Sequence, residues 1–505
     1  VDAPLPLILA ALFVAGAVLL PGARWRALST LGALILAPAL LISDIWDTEQ
    51  VRPLRDHPSV AVAGVVAGVI VLAGLAVLFD RKPAAFPIAA AAAIPFRVPI
   101  ASGGSTANLL VPLYLVVGAG ALAYAIPRIF GAKSELQERK ATILEWLLAG
   151  AVVLYAVQSS YSDDFDKALE NVVFFYVPFA LLFALLARIT WTRRLAVQVL
   201  GVLAALALAF AAVGFVEYAT RHLFLNPKVI ASNQFESYFR VNSLFFDPNI
   251  YGRFLAIVML GVATVLIWSR RPRNVWGAAV VLAVLWAGLV LTLSQSSFAA
   301  LLLGLLVLAG ARWSPRWALG VGAAALVVGA LFVLVAPSSV RLDLNSSKSA
   351  DSATSGRYDL VKGGVDLFAD KPLQGYGSGG FSRAYRRAEQ GSAERAVSAS
   401  HTIPVTVAAE QGAPGLLVYL ALLVAGFLML FGGVRGDPVR AAVAAAFAAL
   451  VLHTWSYASF LEDPLTWALL GVGLALALAV PSRSQTAPAA AEAEAARSPA
   501  AQSSP

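Results

Sequence analysis

Proton transfer in this 505-residue chain falls to very few side chains, because it holds only four histidines and no cysteine. His401 is the one placed for chemistry. It stands in Ser400-His401-Thr402-Ile403, where a long polar stretch (336–410) gives way to an apolar run. An imidazole that titrates near neutrality at a membrane edge suits a general base. His57 and His222 have no such setting, and His453, inside an apolar run near Trp455 and Tyr457, reads as a hydrogen-bonded packing residue. Arg240 closes the other long polar stretch, and Arg357 opens an amphipathic segment. Each has two readings. A guanidinium there either snorkels to lipid headgroups or offers a planar fork of donors to a diphosphate, a task it performs better than an ammonium. Arg253 falls about one turn inside an apolar run, where burial is costly, and so points to a polar cavity. Glu410 follows His401 by nine residues. It can cap a helix, pair with an arginine or orient His401, and spacing alone leaves these open.

The elements that position these residues are membrane helices. The chain is 59% hydrophobic and 13% charged, about half the charge of a typical soluble domain. Apolar runs of about 17–22 residues recur, each long enough to cross a hydrocarbon core of about 30 Å. The expected class is an all-α polytopic membrane protein with about 12–15 transmembrane helices and one large extracytoplasmic loop containing short amphipathic helices. One of the expected spans covers 85–100. Around Ser294-Gln295-Ser296-Ser297 the pattern fits either two spans with a tight turn or one broken helix. The first apolar run, 5–20, lacks a basic leader and reads as a helix rather than a cleaved signal.

Connections alternate in charge. Arg24/Arg26, Arg81/Lys82, Arg128 to Lys140, Arg188 to Arg194, Arg270 to Arg273, Arg312/Arg316 and Arg435/Arg440 form one set. The connections between them are acidic, mixed or uncharged. By the positive-inside rule the basic set faces the cytoplasm and the other set, with the candidate site, faces outward. The C-terminus is then cytoplasmic. The net charge of +8 is spread over these loops, so nucleic acid is not an expected partner. The expected organisation is helices and the first long outward loop over 1–248, middle helices over 249–335, the large loop over 336–402, C-terminal helices over 403–481, and a disordered tail over 482–505.

Within the large loop, Leu360, Val361, Gly364, Val365 and Phe368 share a helical face, and Lys371-Pro372 ends that helix. Gly375-Tyr376-Gly377-Ser378-Gly379-Gly380 fits the G-x-G-x-x-G pattern but follows no buried strand, so it reads as a tight turn with close backbone approach. A short helix over 381–389 carries Arg383, Arg386 and Arg387, on a solvated face or near lipid phosphates. Asp247-Pro248-Asn249 is a helix start. Asp463 reads as a loop residue.

The order of these pieces resembles the O-antigen ligase and polymerase superfamily. They are Arg240 with Phe246-Asp247-Pro248-Asn249-Ile250-Tyr251-Gly252, Gly356-Arg357, Gly375-Tyr376-Gly377 with Phe381, and His401 with Glu410-Gln411-Gly412. Two positions depart from it: Thr402 follows the histidine where many relatives have Asn, and Gln295 follows Ser294 where many have Arg. The resemblance implies an inverting, metal-independent glycosyltransferase of the GT-C type without a cofactor, in the bacterial inner membrane. Its donor would be a polyprenyl-diphosphate-linked glycan, and its acceptor a hydroxyl on a lipid-linked glycan or lipid core. Arg240, Arg357 and Arg253 would hold the diphosphate; His401 would be the base, with Glu410 beside it. Ligase and polymerase share this chemistry. A flippase or secondary transporter is the alternative from another class.

Overall fold

The computed structural model describes residues 4–46, 51–102, 105–131, 139–225, 239–324, 357–388, 402–457 and 459–479. Among them, eleven helices are long and apolar enough to cross a membrane, and two shorter apolar helices join them. The chain is an all-α polytopic membrane protein whose helices are α1 (Pro4–Leu19), α2 (Ala23–Ile45), α3 (Pro58–Arg81), α4 (Ala85–Ala93), α5 (Val111–Ile129), α6 (Ile143–Gln158) and α7 (Phe165–Leu186). Then come α8 (Arg193–Thr220), α9 (Pro248–Trp268), α10 (Pro272–Thr292), α11 (Gln295–Arg312), α12 (Arg357–Asp370), α13 (Phe381–Ala388), α14 (Ile403–Phe431), α15 (Pro438–Ser456) and α16 (Pro464–Leu478).

Three of the site-forming helices begin the same way. Asp247-Pro248, Asp437-Pro438 and Asp463-Pro464 start α9, α15 and α16; the first two aspartates each accept two N–H groups of the first turn, and Asp463 accepts one. Proline at the first helical position lacks an N–H that would be orphaned anyway, and the carboxylate caps others, a contribution of about 0.5–2 kcal/mol per helix.

The expected span over 85–100 is not one helix. Helix α4 stops at Ala93, and the chain continues as an antiparallel hairpin of β1 (Val98–Ser102) and β2 (Ser105–Leu109). Pro95 and Pro99 account for the break: each removes a backbone donor and disfavours helical geometry in the residue before it. The break releases Arg97 from a helical wall. Around Ser294 the chain forms two helices joined by a tight turn, with Leu293 left-handed at φ 51°. From 315 to 324 it is helical again. The rest of the expected 316–336 span, the polar 340–355 segment and the 482–505 tail lie outside the described residues.

Two apolar cores result. One gathers α1–α7, α14 and α16, and the other α8–α11. Helix α15 serves both: Ala444, Phe447 and Val451 face the first core, Ala441, Ala445 and Ala449 the second. Small side chains repeating every four residues let neighbouring backbones approach closely where lipid offers no hydrophobic drive between helices.

Helix α12 packs on α13 and α14, with Leu360 and Leu367 buried against Phe381, Tyr385 and Ala409. The buried face is rotated from the one expected, since Val365 is half exposed. Gly363 faces Tyr385, which leaves no room for a side chain there. The arginines of α13 are not simply solvated. Arg383 pairs with Asp164 at 3.0 Å and Arg387 with Asp163 at 2.9 Å, which ties this helix to the connection between α6 and α7.

Candidate active site

The starts of α9, α11 and α16 meet the ends of α8, α10 and α15 at one end of the bundle, and polar side chains concentrate there. Arg240 lies across the α10–α11 turn. Its Nε donates to the Thr292 carbonyl at 3.0 Å and its Nη2 to Asn249 Oδ1 at 3.2 Å. Ser294 Oγ donates to the same Asn249 oxygen at 2.9 Å. Gly252 makes this meeting possible, because a Cβ there would sit 2.7 Å from Ser297 Oγ and 3.2 Å from Ser294 Cβ. The Phe246–Gly252 motif is therefore a device for seating Arg240: Asp247 caps, Asn249 holds the guanidinium, and Gly252 admits α11. Glu217, unremarked in the sequence, supports the approach to α9 by accepting the N–H groups of Ser243 at 2.7 Å and Asn242 at 3.3 Å.

One turn along α9, Arg253 is ion-paired through Nη2 with Asp463. Both side chains are buried, so Asp463, which stands in the connection before α16 as expected, is a core residue all the same. It divides its oxygens between two tasks, since Oδ1 caps α16 by accepting from Leu465 N–H at 2.8 Å. Asp247 does likewise: Oδ1 caps α9, and Oδ2 accepts from Tyr457 hydroxyl at 2.8 Å. Burial and the neighbouring Asp247 push the Tyr457 hydroxyl well above its ordinary pKa, so it donates as a neutral phenol. Arg97 joins the cluster, interacting electrostatically with Asp463, Arg253, Tyr114 and Tyr457. Arg253 Nε and Nη1 and Arg97 Nε are buried without a hydrogen-bond partner among the described residues. Buried N–H groups of a cation demand acceptors, and an anionic oxygen is the best of them.

Below this cluster lies an apolar cavity of about 340 Å³. Its wall includes Ile257, one turn beyond Arg253; Leu465, two residues beyond Asp463; and Ile94, three before Arg97. It extends toward the opposite end of the bundle, where Trp191, Arg193 and Trp268 line it. None of Arg97, Arg253 and Asp463 lines it; its walls are mainly apolar and suit a hydrocarbon chain.

A second assembly surrounds the large loop's re-entry. Helix α14 is broken at Gly412, which is left-handed with φ 64°. The break frees carbonyls that the glycine turn captures: Tyr376 N–H donates to Ala409 at 3.0 Å, Gly377 N–H to Glu410 at 2.9 Å. In return Ala413 N–H donates to Pro372 at 2.7 Å. A Cβ on Gly375 would lie 2.2 Å from the Glu410 carbonyl oxygen. The two glycine motifs are thus halves of one clamp, as the reading of close backbone approach expects. The Glu410 carboxylate completes it, receiving the N–H groups of Gly379 and Phe381, the latter at 3.2 Å. It caps the start of α13. His401 and the side chain of Arg357 lie outside the described residues, and so does any contact between His401 and Glu410. Ile403, two residues after His401, lines a small cavity of about 40 Å³ with Tyr155, Tyr176, Gln411 and Glu462.

Of the five candidate residues, Arg240 and Arg253 come together at the start of α9, and Glu410 stands in the clamp. Arg97, Asp463, Glu462 and Glu217 were missed; His453 is buried and hydrogen-bonded as expected, but its serine partners were not legible. Only Arg97, flanked by prolines in an otherwise apolar run, carried a local signal.

Residues 281–420 match the family model described as O-antigen ligase. No curated protein and no solved structure matches the chain. The matched segment contains the α10–α11 turn, Arg357, the glycine clamp, His401 and Glu410. It supports placement in the O-antigen ligase and polymerase superfamily and, in general terms, a function of that type in a membrane. Arg97, Arg240, Asn249, Arg253, His453 and Asp463 lie outside it.

Proposed function

We propose, with the O-antigen ligase match over 281–420 as premise, that the chain transfers a glycan from a polyprenyl-diphosphate donor to a hydroxyl of a lipid-linked or lipid-core acceptor. The observation that supports this reading is the pair of buried arginines, Arg97 and Arg253, whose N–H groups lack partners among the described residues; the apolar cavity is lined by their neighbours in the chain, Ile94 and Ile257. The diphosphate would lie against Arg240 and Arg253, with Arg357 completing the cradle, and the polyprenyl tail in the cavity. His401 takes the proton of the acceptor hydroxyl. The freed oxygen attacks the anomeric carbon opposite the diphosphate, the bond from that carbon to the diphosphate oxygen breaks with the electron pair left on the oxygen, and the configuration inverts. Diphosphate departs well once its charge is met, so guanidinium donors suffice and no metal is required. The positive-inside pattern supports an orientation with this end of the bundle extracytoplasmic and the C-terminus cytoplasmic, and a bacterial inner membrane is part of the same reading.

Purified protein given lipid-linked donor and acceptor tests the reading. One discrete shifted product identifies a ligase, and a ladder a polymerase. His401→Ala should keep the fold and lose transfer; retained transfer removes His401 from the mechanism. A flippase or transporter would instead move the donor across a vesicle membrane without joining it to anything.

A further inference from the structure

His453 is fully buried one turn from the end of α15, and transfer as described gives it no task. Its Nε2 lies 3.2 Å from both Ser296 Oγ and Ser297 Oγ. From there hydrogen bonds run from Ser297 Oγ to Ser294 Oγ at 2.8 Å, and from Ser294 Oγ to Asn249 Oδ1 at 2.9 Å. Asn249 Oδ1 is the atom that receives Arg240 Nη2. Five side chains from α15, α11, the α10–α11 turn, α9 and the segment before α9 are thereby linked in one line.

Valence sets the direction of that line. A guanidinium only donates, so Asn249 must turn its carbonyl oxygen, not its NH₂, toward Arg240. Ser294 spends its single proton on the same oxygen. Ser297 spends its own proton on the Ser294 oxygen, at 2.8 Å, or on the more distant Asn249 main-chain carbonyl at 3.5 Å, and either way has only an acceptor left for His453. The imidazole must therefore carry a proton on Nε2. Ser296, 3.2 Å from both Ser294 Oγ and His453 Nε2, fits the same polarity.

We infer that His453 is a positioning residue for Arg240: an Nε2–H donor that orders the serine hydroxyls in one direction and so fixes the plane of the guanidinium that meets the donor diphosphate. This rests on the reading of Arg240 given above. Without that donor, Ser297 and Ser294 can reverse, and Asn249 loses the second donor that holds its amide. A planar fork tolerates little misalignment against phosphate oxygens, so the effect should fall on donor recognition.

The test uses full-length protein in detergent or nanodiscs with lipid-linked donor, reading donor KM, kcat and melting temperature. H453L should raise donor KM about tenfold with a much smaller change in kcat, consistent with losing one hydrogen bond to a charged-group network. H453Q, whose amide places an N–H near the Nε2 position, should recover most of it. S297A, which cuts the line at its next link while keeping the imidazole, should resemble H453L even if H453L folds poorly. In an R240A background H453L should add almost nothing. Unchanged donor KM in H453L and S297A, with R240A impaired, overturns the positioning role alone. A full additional loss in the R240A background also overturns it. Wild-type KM in R240A instead removes the diphosphate reading and this inference with it.

Discussion

Arg253 and Asp463, separated by 210 positions in the chain, form an ion pair in which the side chains are 2% and 3% exposed. An ion pair at this burial is held together by mutual dependence more than by net gain, because both charges have left water. Asp463→Asn keeps an oxygen to cap α16 but removes the charge. It should cost about 3–5 kcal/mol, seen as a large drop in melting temperature in detergent. Arg253→Met added to it should restore most of that stability while abolishing donor binding. If the single variant melts like wild type, the pair is not what compensates Arg253.

Gly252 sets how closely α9 approaches α11. Gly252→Ala brings a methyl to within 2.7 Å of Ser297 Oγ, and both serines must yield. The expected cost is about 1–3 kcal/mol from overpacking, with a rise in donor KM because Asn249 and Ser294 part. The same change at Gly150, which has nothing within 4 Å, should leave donor KM unchanged and raise stability by about 0.5–1 kcal/mol, as alanine does inside a helix.

Glu410 holds the glycine clamp through the N–H groups of Gly379 and Phe381. Glu410→Ala should destabilise by about 1–3 kcal/mol by orphaning those donors. Glu410→Gln retains a carbonyl acceptor and should restore most of the stability and the transfer. Normal melting combined with abolished transfer in Glu410→Gln would return this residue to a direct role in proton transfer.

Glu462 supplies a pH dependence. Burial pushes its carboxyl above the ordinary glutamate range, and Tyr176 hydroxyl donates to Oε1 at 3.2 Å without cancelling that effect. The folded state therefore holds the proton more tightly than the unfolded state. Stability should be greatest below the unfolded pKa of about 4.3 and fall as pH rises from there through the raised folded value. Melting curves from pH 4 to pH 8 should show this slope, and Glu462→Gln should flatten it.

Periodicity and composition alone determined the class, the apolar spans and the helix starts, since crossing a bilayer demands long apolar helices and Asp-Pro caps act within a few residues. The glycine turn was legible for the same local reason: Gly375 and Gly377 announce close backbone approach, although not that the partner is the break at Gly412. The broken 85–100 segment was also written locally, in Pro95 and Pro99, and was hidden by its apolar length. Which charges meet was not legible. Asp463 looks like a loop residue until α16 is set beside α9, and His453 looks like packing until α15 meets α11 at Ser296 and Ser297. A buried polar group is defined by what stands opposite it, and in a bundle this is decided by the packing of helices far apart in the chain. The tertiary structure alone turned Glu410 into a clamp, seated Arg240 on Asn249 and brought Arg97 to Arg253, because low-dielectric surroundings leave every such group dependent on a partner that local pattern does not name.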